Sequence, residues 1–210
     1  MQKGRFITLE GAEGVGKSTN LNFIAELLES QDVPCVVTRE PGGTPLAERI
    51  RTILLDKAES DMHAMTELLL MFAARKQHVE SLIRPALAAG KWVICDRFTD
   101  STYAYQGYGR ELDLATIETL ENLCLGSFRP DLTLVLDLPV GRGRDRVAAR
   151  GEKDRFESES DKFFDKVREG FLQLATRHPR YRVVDASQPL ETVQAAIAGI
   201  IAELGSGSHG

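Results

Sequence analysis

Short apolar runs alternate along the chain with longer stretches in which apolar residues recur every three or four positions. The runs predict strands that are buried on both faces, as in a parallel sheet covered by helices. The periodic stretches predict helices that bury one side. Five strands follow from this pattern, at Phe6–Leu9, Cys35–Thr38, Trp92–Cys95, Leu132–Leu136 and Arg182–Val184.

The alternation of strand and helix favours an α/β fold in three layers, with a parallel sheet between two layers of helices. In such sheets, ligands bind beyond the carboxyl ends of the strands. We therefore expect the loops after Leu9, Thr38, Cys95 and Leu136 to form the functional site. The predicted helices span Ser18–Ser30, Pro45–Leu55, Asp61–Ile83, Leu114–Leu125, Pro139–Ala149, Phe163–Thr176 and Leu190–Leu204.

The loop after the first strand carries a phosphate-binding motif. Gly11–Thr19 reads Gly-Ala-Glu-Gly-Val-Gly-Lys-Ser-Thr and fits the pattern G-x-x-x-x-G-K-[ST]. A chance match is the alternative, but the strand before the loop and the helix after it are the setting that this motif requires. Lys17 is expected to reach terminal phosphates, and the Ser18 hydroxyl to ligate Mg²⁺. The expected nucleotide-binding residues are Gly11, Ala12, Glu13, Gly14, Val15, Gly16, Lys17, Ser18 and Thr19.

Composition narrows the class of protein. The chain has 210 residues, of which 42% are hydrophobic, and a formal net charge of −5. These values favour a soluble domain and argue against a general nucleic-acid or membrane-surface binder. The 3 cysteines form no C-x-x-C pair, as expected of reduced thiols in the cytoplasm, and neither a signal peptide nor a bilayer-spanning run is evident. We expect one domain over residues 1–204, with 205–210 as a disordered tail.

The third predicted strand ends in Asp96, and Arg97 follows it. A carboxylate at this position is expected to complete a Mg²⁺ shell together with the hydroxyl of the phosphate loop. An aspartate that merely ends a strand is the alternative interpretation. Arg97 would add a phosphate-binding cation at the same place.

Four segments of the chain resemble the thymidylate kinase family. The segment Asp96–Gln106, with Asp-Arg-Phe and then Ser-Thr-x-Ala-Tyr-Gln, resembles the signature of that family, and Thr38–Thr44 resembles its second motif. Leu132–Asp137 and the Arg-Gly-Glu-x-Asp-Arg run at Arg150–Arg155 match as well. The resemblance extends from about Phe6 to the last helix.

The resemblance implies a P-loop nucleoside-monophosphate kinase fold with five parallel strands and a lid, at about residues 141–161. It also implies the reaction ATP + dTMP → ADP + dTDP with Mg²⁺, and a homodimer. At the phosphate end, Arg97 would bind the dTMP phosphate with help from Arg51. Glu13 would face the 3′-hydroxyl or a metal-bound water. Lys17, Arg97, Arg150 and Glu13 are the implied catalytic residues.

The resemblance also implies a pocket for thymine. Phe72 would stack on the base, although relatives often place the stacking aromatic four residues before the arginine, where this chain has Met71. A core position for Phe72 is the alternative. Arg75 would bind the 4-carbonyl, and Tyr105 would crowd the 2′ position. The implied substrate-binding residues are Glu40, Arg51, Phe72, Arg75, Arg97, Thr102, Tyr105 and Gln106.

An arginine-rich run extends from Arg142 to Arg155. It is open to three interpretations: a solvated helix face, a nucleic-acid patch, which the acidic balance disfavours, or a lid that neutralises charge during phosphoryl transfer. The lid is favoured because residues 12–15 supply no cation, and because the chain resembles the bacterial branch whose lid supplies one. Arg150 is the expected catalytic arginine and Arg155, facing ATP, the second, with Arg144 and Arg146 at the surface. The stretch Gly151–Asp161 is expected to be mobile.

Other classes of phosphate-loop protein are disfavoured. A regulatory GTPase should carry D-x-x-G and N-K-x-D, and the sequence has neither. A motor or DNA-dependent ATPase calls for a larger domain with a basic groove. Another nucleoside-monophosphate kinase is the remaining rival, and the implied thymine pocket argues against it.

Overall fold

Five parallel strands form one sheet at the centre of the protein. The computed structural model describes residues 4–148 and 154–206. Its strands lie in the spatial order second, third, first, fourth, fifth. This arrangement confirms the parallel sheet predicted from the apolar runs. The strands are β1 Phe6–Glu10, β2 Cys35–Arg39, β3 Trp92–Asp96, β4 Leu132–Asp137 and β5 Tyr181–Asp185.

Helices cover both faces of the sheet. Alternate residues of β1 point to opposite sides, so that Ile7 and Leu9 pack in one core and Phe6 in another, where its ring meets Phe98 edge to face at 4.9 Å. The helices are α1 Lys17–Ser30, α2 Pro45–Leu55, α3 Ala64–His78, α4 Arg84–Ala88, α5 Thr99–Thr102, α6 Leu114–Leu125, α7 Val140–Ala148, α8 Asp161–Ala175 and α9 Leu190–Ser206.

The long helix predicted over Asp61–Ile83 is divided in the structure. It begins only at Ala64, where the Nδ1 atom of His63 accepts a hydrogen bond of 3.2 Å from the backbone N–H of Met65. After His78 the chain continues as a π-helical segment over Val79–Ile83 and then as α4. Pro85 accounts for the change of geometry, because it cannot donate a backbone hydrogen bond.

The segment after β3 is helical, although the sequence pattern did not predict a helix there. It contains α5 and a π-helical stretch over Tyr103–Gly109. Polar and glycine residues interrupt the apolar periodicity of this segment, so a search for helical spacing misses it. The segment is nevertheless buried, and Ala104, Tyr105 and Gln106 are at most 5% exposed.

The end of the chain also differs from expectation. Helix α9 runs to Ser206, so Gly205 and Ser206 are helical where a disordered tail was predicted. The remaining tail residues, 207–210, lie outside the described residues.

The register of the sheet places the candidate site. Leu9 is aligned with Asp96, and Arg39 is aligned with Asp96 from the other side. Because these strands are parallel, the loops that follow β1, β2 and β3 emerge at the same edge. The residues predicted for the site therefore meet there, as the strand pattern implies.

Candidate active site

An open cavity at this edge collects most of the predicted site residues. Its two ends differ in chemistry: the phosphate loop and Arg97 form one, and Arg75, Thr102 and Gln106 form the other. The predicted residues that line the cavity are Glu13, Gly14, Val15, Gly16, Lys17, Ser18, Glu40, Arg51, Arg75, Asp96, Arg97, Thr102, Tyr105 and Gln106. Gly11, Ala12, Thr19, Phe72 and Arg155 do not line it.

The phosphate loop wraps around its own lysine. The Nζ atom of Lys17 donates hydrogen bonds to the carbonyls of Gly11, at 3.3 Å, and Ala12, at 2.9 Å. Burial and the nearby Arg97 lower the pKa of Lys17. Gly14 has a φ of 74°, and a Cβ there would lie 2.1 Å from the carbonyl oxygen of Gly143. Glycine is therefore required at the tip of the loop, where α7 touches it.

Arg97 connects the loop to the segment after β3. Its φ of 70° is in the left-handed region, which is uncommon for a residue with a side chain. Nη1 donates to the Gly11 carbonyl at 2.9 Å and to Oγ of Ser101 at 3.1 Å. Nη2 donates to Oε1 of Glu13 at 2.7 Å and to the Tyr105 hydroxyl at 2.9 Å. The guanidinium is thus held at the centre of the phosphate end.

The carboxylate of Glu13 is ionised by its surroundings. Burial by itself would raise the pKa of Glu13, but the positive charges of Arg97 and Lys17 outweigh burial and hold it at about 2. The side chain is 23% exposed. A stable anion therefore lies beside two cations at the mouth of the phosphate loop.

Glu10 supports the backbone around Arg97, a role that the sequence analysis missed. Its carboxylate accepts hydrogen bonds from the N–H of Phe98 at 2.7 Å and from Oγ of Ser101 at 2.6 Å. Burial and the nearby carboxylate of Asp100 raise the pKa of Glu10. The only sequence signal is a charged residue that ends a fully apolar strand.

Asp96 and Ser18 present oxygen atoms to the cavity. Ser18 is exposed at the start of α1, and Oδ1 of Asp96 is buried without a hydrogen-bond partner among the described residues. In the described ranges, no group of three or more His, Cys, Asp or Glu side chains could hold a metal ion. A buried carboxylate oxygen without a partner fits a Mg²⁺ ion that takes its other ligands from a hydroxyl, phosphates and water.

Arg75 is the buried cation of the other end. It is 2% exposed, and its guanidinium lies 5.1 Å from the centre of the Phe72 ring. Nε donates to Oε2 of Glu40 at 2.6 Å, Nη1 to Oγ1 of Thr102 at 2.9 Å and Nη2 to the Phe98 carbonyl at 3.0 Å. A guanidinium has five N–H groups. Among the described residues, one N–H on each of Nη1 and Nη2 therefore has no partner and can serve a ligand.

Glu40 and Arg51 also line the cavity. Glu40 is fixed on its far side by His78, whose Nδ1 lies 3.0 Å from Oε1. The Nη1 atom of Arg51 donates to the Pro41 carbonyl at 2.9 Å, and burial lowers the pKa of Arg51. Both side chains thus belong to the wall formed by the loop after β2 and by helix α2.

Phe72 faces the core in this structure. It is 2% exposed and packs against Leu68 and Ile117. Met71, one position earlier on α3, lines the cavity instead. The rotation of α3 about its own axis decides which of the two side chains faces the cavity, because successive side chains are about 100° apart around a helix.

The arginines of the lid region have different partners. Arg155 is 8% exposed, donates from Nε to the Leu54 carbonyl at 2.8 Å and pairs with Glu67 at 2.6 Å, so it faces away from the phosphate loop. Arg144 pairs with Asp161 at 2.7 Å. Arg150 lies outside the described residues. Arg146 is exposed, as expected of a surface residue, but its Nη1 also reaches the Gly14 carbonyl at 3.2 Å.

Comparison with known proteins identifies the family. Residues 9–197 match the family model described as thymidylate kinase. The chain belongs to the thymidylate kinase family. It is 60% identical to the thymidylate kinase of Pseudomonas fluorescens strain SBW25 over 202 residues, which cover 96% of each chain. It is 58% identical to that of Ectopseudomonas mendocina, again over 96% of each chain. For that of Alkalilimnicola ehrlichii the identity is 56%, over 96% of this chain and 94% of the relative.

This thymidylate kinase family member also has site residues that sequence analysis did not name. Phe156 is 6% exposed, lines the cavity and meets the Tyr105 ring edge-on at 6.0 Å. The described part of the stretch expected to be mobile, residues 154–160, forms turns, and the N–H of Arg155 donates to the Leu55 carbonyl at 3.3 Å. Most residues of this stretch are charged, so it has no apolar periodicity from which the contacts of Arg155 and Phe156 could be predicted.

None of the helices in the described part of the chain combines the length and the apolar character that a membrane span needs.

Proposed function

We propose that this protein transfers the γ-phosphoryl group of ATP to dTMP, which yields dTDP and ADP in the synthesis of dTTP. The observation that carries the proposal is the cavity itself, with a phosphate loop at one end and the buried, donor-only Arg75 at the other. Family membership and the three relatives named thymidylate kinase support the same conclusion.

At the phosphate end, Lys17 and Arg97 hold the groups that react. Arg97 binds the phosphate of dTMP, and Lys17 leaves the carbonyls of its loop to contact the terminal phosphates of ATP. An oxygen of dTMP attacks the γ-phosphorus, and the bond to the leaving ADP oxygen breaks. The attacking oxygen is already anionic, so no strong general base is needed, and catalysis depends on position and charge. Glu13 accepts a hydrogen bond from the 3′-hydroxyl or from a metal-bound water.

Mg²⁺ is the proposed metal. Asp96 and Ser18 would hold it, because they offer a buried carboxylate oxygen and a hydroxyl in the same cavity. When bound, the ion neutralises charge on the phosphates of ATP. The chain's own contribution is to place the two oxygen ligands at the ends of neighbouring elements.

At the base end, Arg75 distinguishes thymine from cytosine. Its remaining N–H groups donate to the 4-carbonyl of thymine, whereas cytosine has an amino group there that can only donate. Thr102 accepts a hydrogen bond from Arg75, so its own hydroxyl proton can point to the base. Met71 and Tyr105 contribute apolar contacts with the nucleoside, and Phe72 supports Arg75 from the core.

The lid supplies a further cation. Arg150 contacts the transferring phosphoryl group, because residues 12–15 of the loop bring no positive charge. Arg155 can bind ATP only if it leaves Glu67 and the Leu54 carbonyl. Its proposed role therefore requires the part of the lid that carries Arg155 to move.

A homodimer in the cytoplasm completes the proposal. Leu46 and Ile53 on α2 and Leu69 on α3 are 42%, 46% and 50% exposed, and they lie on two helices that pack together. A second copy would cover this face. Size-exclusion chromatography with light scattering should give twice the mass of the chain for the wild-type protein. The Leu69→Lys variant should give the mass of a single chain.

A coupled assay of ADP formation tests the proposed reaction. With ATP and Mg²⁺, dTMP should be the preferred acceptor among dTMP, dUMP, dCMP, dAMP and dGMP. The missing methyl of dUMP should cost about ten- to a few hundredfold in kcat/KM, and the reversed polarity of dCMP as much as roughly 10⁴-fold. Equal rates with dTMP and dCMP would contradict the proposal.

A further inference from the structure

Gln106 lines the base end of the cavity, and Glu67 of α3 anchors its side-chain amide. Nε2 of Gln106 donates a hydrogen bond of 2.8 Å to Oε1 of Glu67. Each of the two residues is 1% exposed. Oε1 of Gln106 accepts no hydrogen bond from any residue that the structure describes. The oxygen of this amide is therefore the acceptor that Gln106 can offer to a ligand, on the side of the amide away from the anchored nitrogen.

Two arginines pair with the carboxylate of Glu67. Its Oε2 lies 2.6 Å from Nη2 of Arg155, as an ion pair without the alignment of a hydrogen bond. The same oxygen accepts from Nη2 of Arg110 at 3.4 Å, and Oε1 accepts from Nε of Arg110, also at 3.4 Å. A carboxylate can only accept hydrogen bonds. If the amide of Gln106 were reversed, two acceptor oxygens would meet at the 2.8 Å contact, so the contact itself determines the orientation of the amide.

We propose that Glu67 is a specificity-determining positioning residue, which fixes the amide of Gln106 so that an acceptor faces the base. The inference rests on the proposed function. N3 of thymine carries a hydrogen and donates, whereas N3 of cytosine carries a lone pair and accepts. The fixed oxygen of Gln106 pairs with the first and repels the second. Arg75 supplies the donors and Gln106 the acceptor, so the two residues together match the edge of thymine.

The substitution Glu67→Gln should reverse this polarity with little change in size. The oxygen next to Arg155 must become the amide oxygen, because an NH₂ group there would oppose Nη2 of Arg155 at 2.6 Å and Nη2 of Arg110 at 3.4 Å. At the other position an NH₂ group opposes only Nε of Arg110, at 3.4 Å. The NH₂ group then takes the position that faces Gln106. Gln106 must turn its own oxygen toward it and present its NH₂ group to the base. The new donor suits N3 of cytosine and opposes N3–H of thymine.

The experiment compares dTMP with dCMP. In Glu67→Gln, the ratio of kcat/KM for dTMP to that for dCMP should fall by about tenfold or more, because one of the polar contacts that reject cytosine is reversed. Binding of each nucleotide, measured by isothermal titration calorimetry, should show the same loss of preference. The rest of the wild-type preference should persist, because Arg75 is unchanged.

Two matched variants separate polarity from packing. Glu67→Asp keeps an acceptor-only group with a shorter reach, so the ratio should stay near the wild-type value even where both activities fall. Glu159→Gln removes the other carboxylate that pairs with Arg110 and does not touch Gln106. It should leave the ratio unchanged. Thermal melts show whether each variant is folded.

The outcomes are distinct. A folded Glu67→Gln that keeps the wild-type ratio overturns the inference, and so does a Glu67→Asp that loses the preference as fully as Glu67→Gln. Wild-type protein with no preference for dTMP would instead refute the proposed function. If neither variant at position 67 folds, neutron diffraction of the wild-type complex with dTMP decides the matter. One deuteron on the Gln106 nitrogen should point to Glu67, and a deuteron of that nitrogen that is hydrogen-bonded to the base would overturn the inference.

Discussion

At the phosphate end of the cavity most of the binding groups belong to one continuous loop, to which the end of β3 adds Asp96 and Arg97, whereas at the base end they come from four separate elements. The loop of residues 11–19 carries its own lysine, hydroxyl and backbone N–H groups. The base end joins Glu40 after β2, Arg75 of α3, Thr102 of α5 and Gln106 of the π-helical segment.

The binding groups at the two ends of the cavity are oriented in different ways. Backbone N–H groups point where the local φ and ψ angles direct them, so a short run of glycines suffices at the phosphate end. Side chains at the base end are oriented by buried partners such as Glu40 and Glu67. Damage to one end should therefore leave the selectivity of the other intact, and the following predictions test this independence.

Lys17→Ala should have the largest effect. Its ammonium meets the phosphate oxygens, where charge is greatest in the transition state, so kcat should fall by at least about a hundredfold. The melting temperature and the ratio of dTMP to dCMP binding should stay near wild-type values. Near-normal turnover in the folded variant would show that the phosphate loop has been assigned wrongly.

Arg75→Ala should damage the base end alone. It should lower kcat/KM for dTMP by about a hundredfold and change dCMP activity much less, because the two N–H groups that Arg75 has left for a ligand suit the 4-carbonyl of thymine and not the amino group of cytosine. Affinity for ADP, measured by calorimetry, should not change. An unaltered ratio of dTMP to dCMP activity would exclude Arg75 as the residue that recognises the base.

Arg150→Ala tests whether the lid acts through the phosphate end. We expect kcat to fall by about tenfold or more while dTMP affinity changes little, because the charge is needed mainly in the transition state. Arg144→Ala is the matched control, since Arg144 pairs with Asp161. Equal and small effects of the two variants would support the alternative interpretation, in which the arginine-rich run is a solvated helix face.

Glu13 should produce the smallest effect, on stability. Its folded pKa of about 2 lies below the ordinary glutamate value of 4.5, so its contribution is present above pH 4.5 and is lost as the pH falls toward 2. Because the side chain is 23% exposed, the contribution should be only about 1 kcal/mol. Urea melts at pH 7 and pH 3 should show wild type losing this advantage over Glu13→Gln. A constant difference would mean that Arg97 does not stabilise the Glu13 anion.

The sequence by itself determined the sheet and the phosphate loop. Buried parallel strands require continuous apolar runs, and the glycines, Lys17 and Ser18 act within a few residues of one another. The order of these elements then predicted which loops would meet. The position directly after the third strand indicated Arg97, and resemblance added Arg75 and Gln106. All three line the cavity.

Only the tertiary structure decided which way individual side chains face. It directs Met71 rather than Phe72 into the cavity, pairs Arg155 with Glu67 and brings Phe156 against Tyr105. Each of these outcomes depends on how one element is rotated against another that is distant in sequence. No local pattern records such a rotation, because it results from packing the whole chain at once.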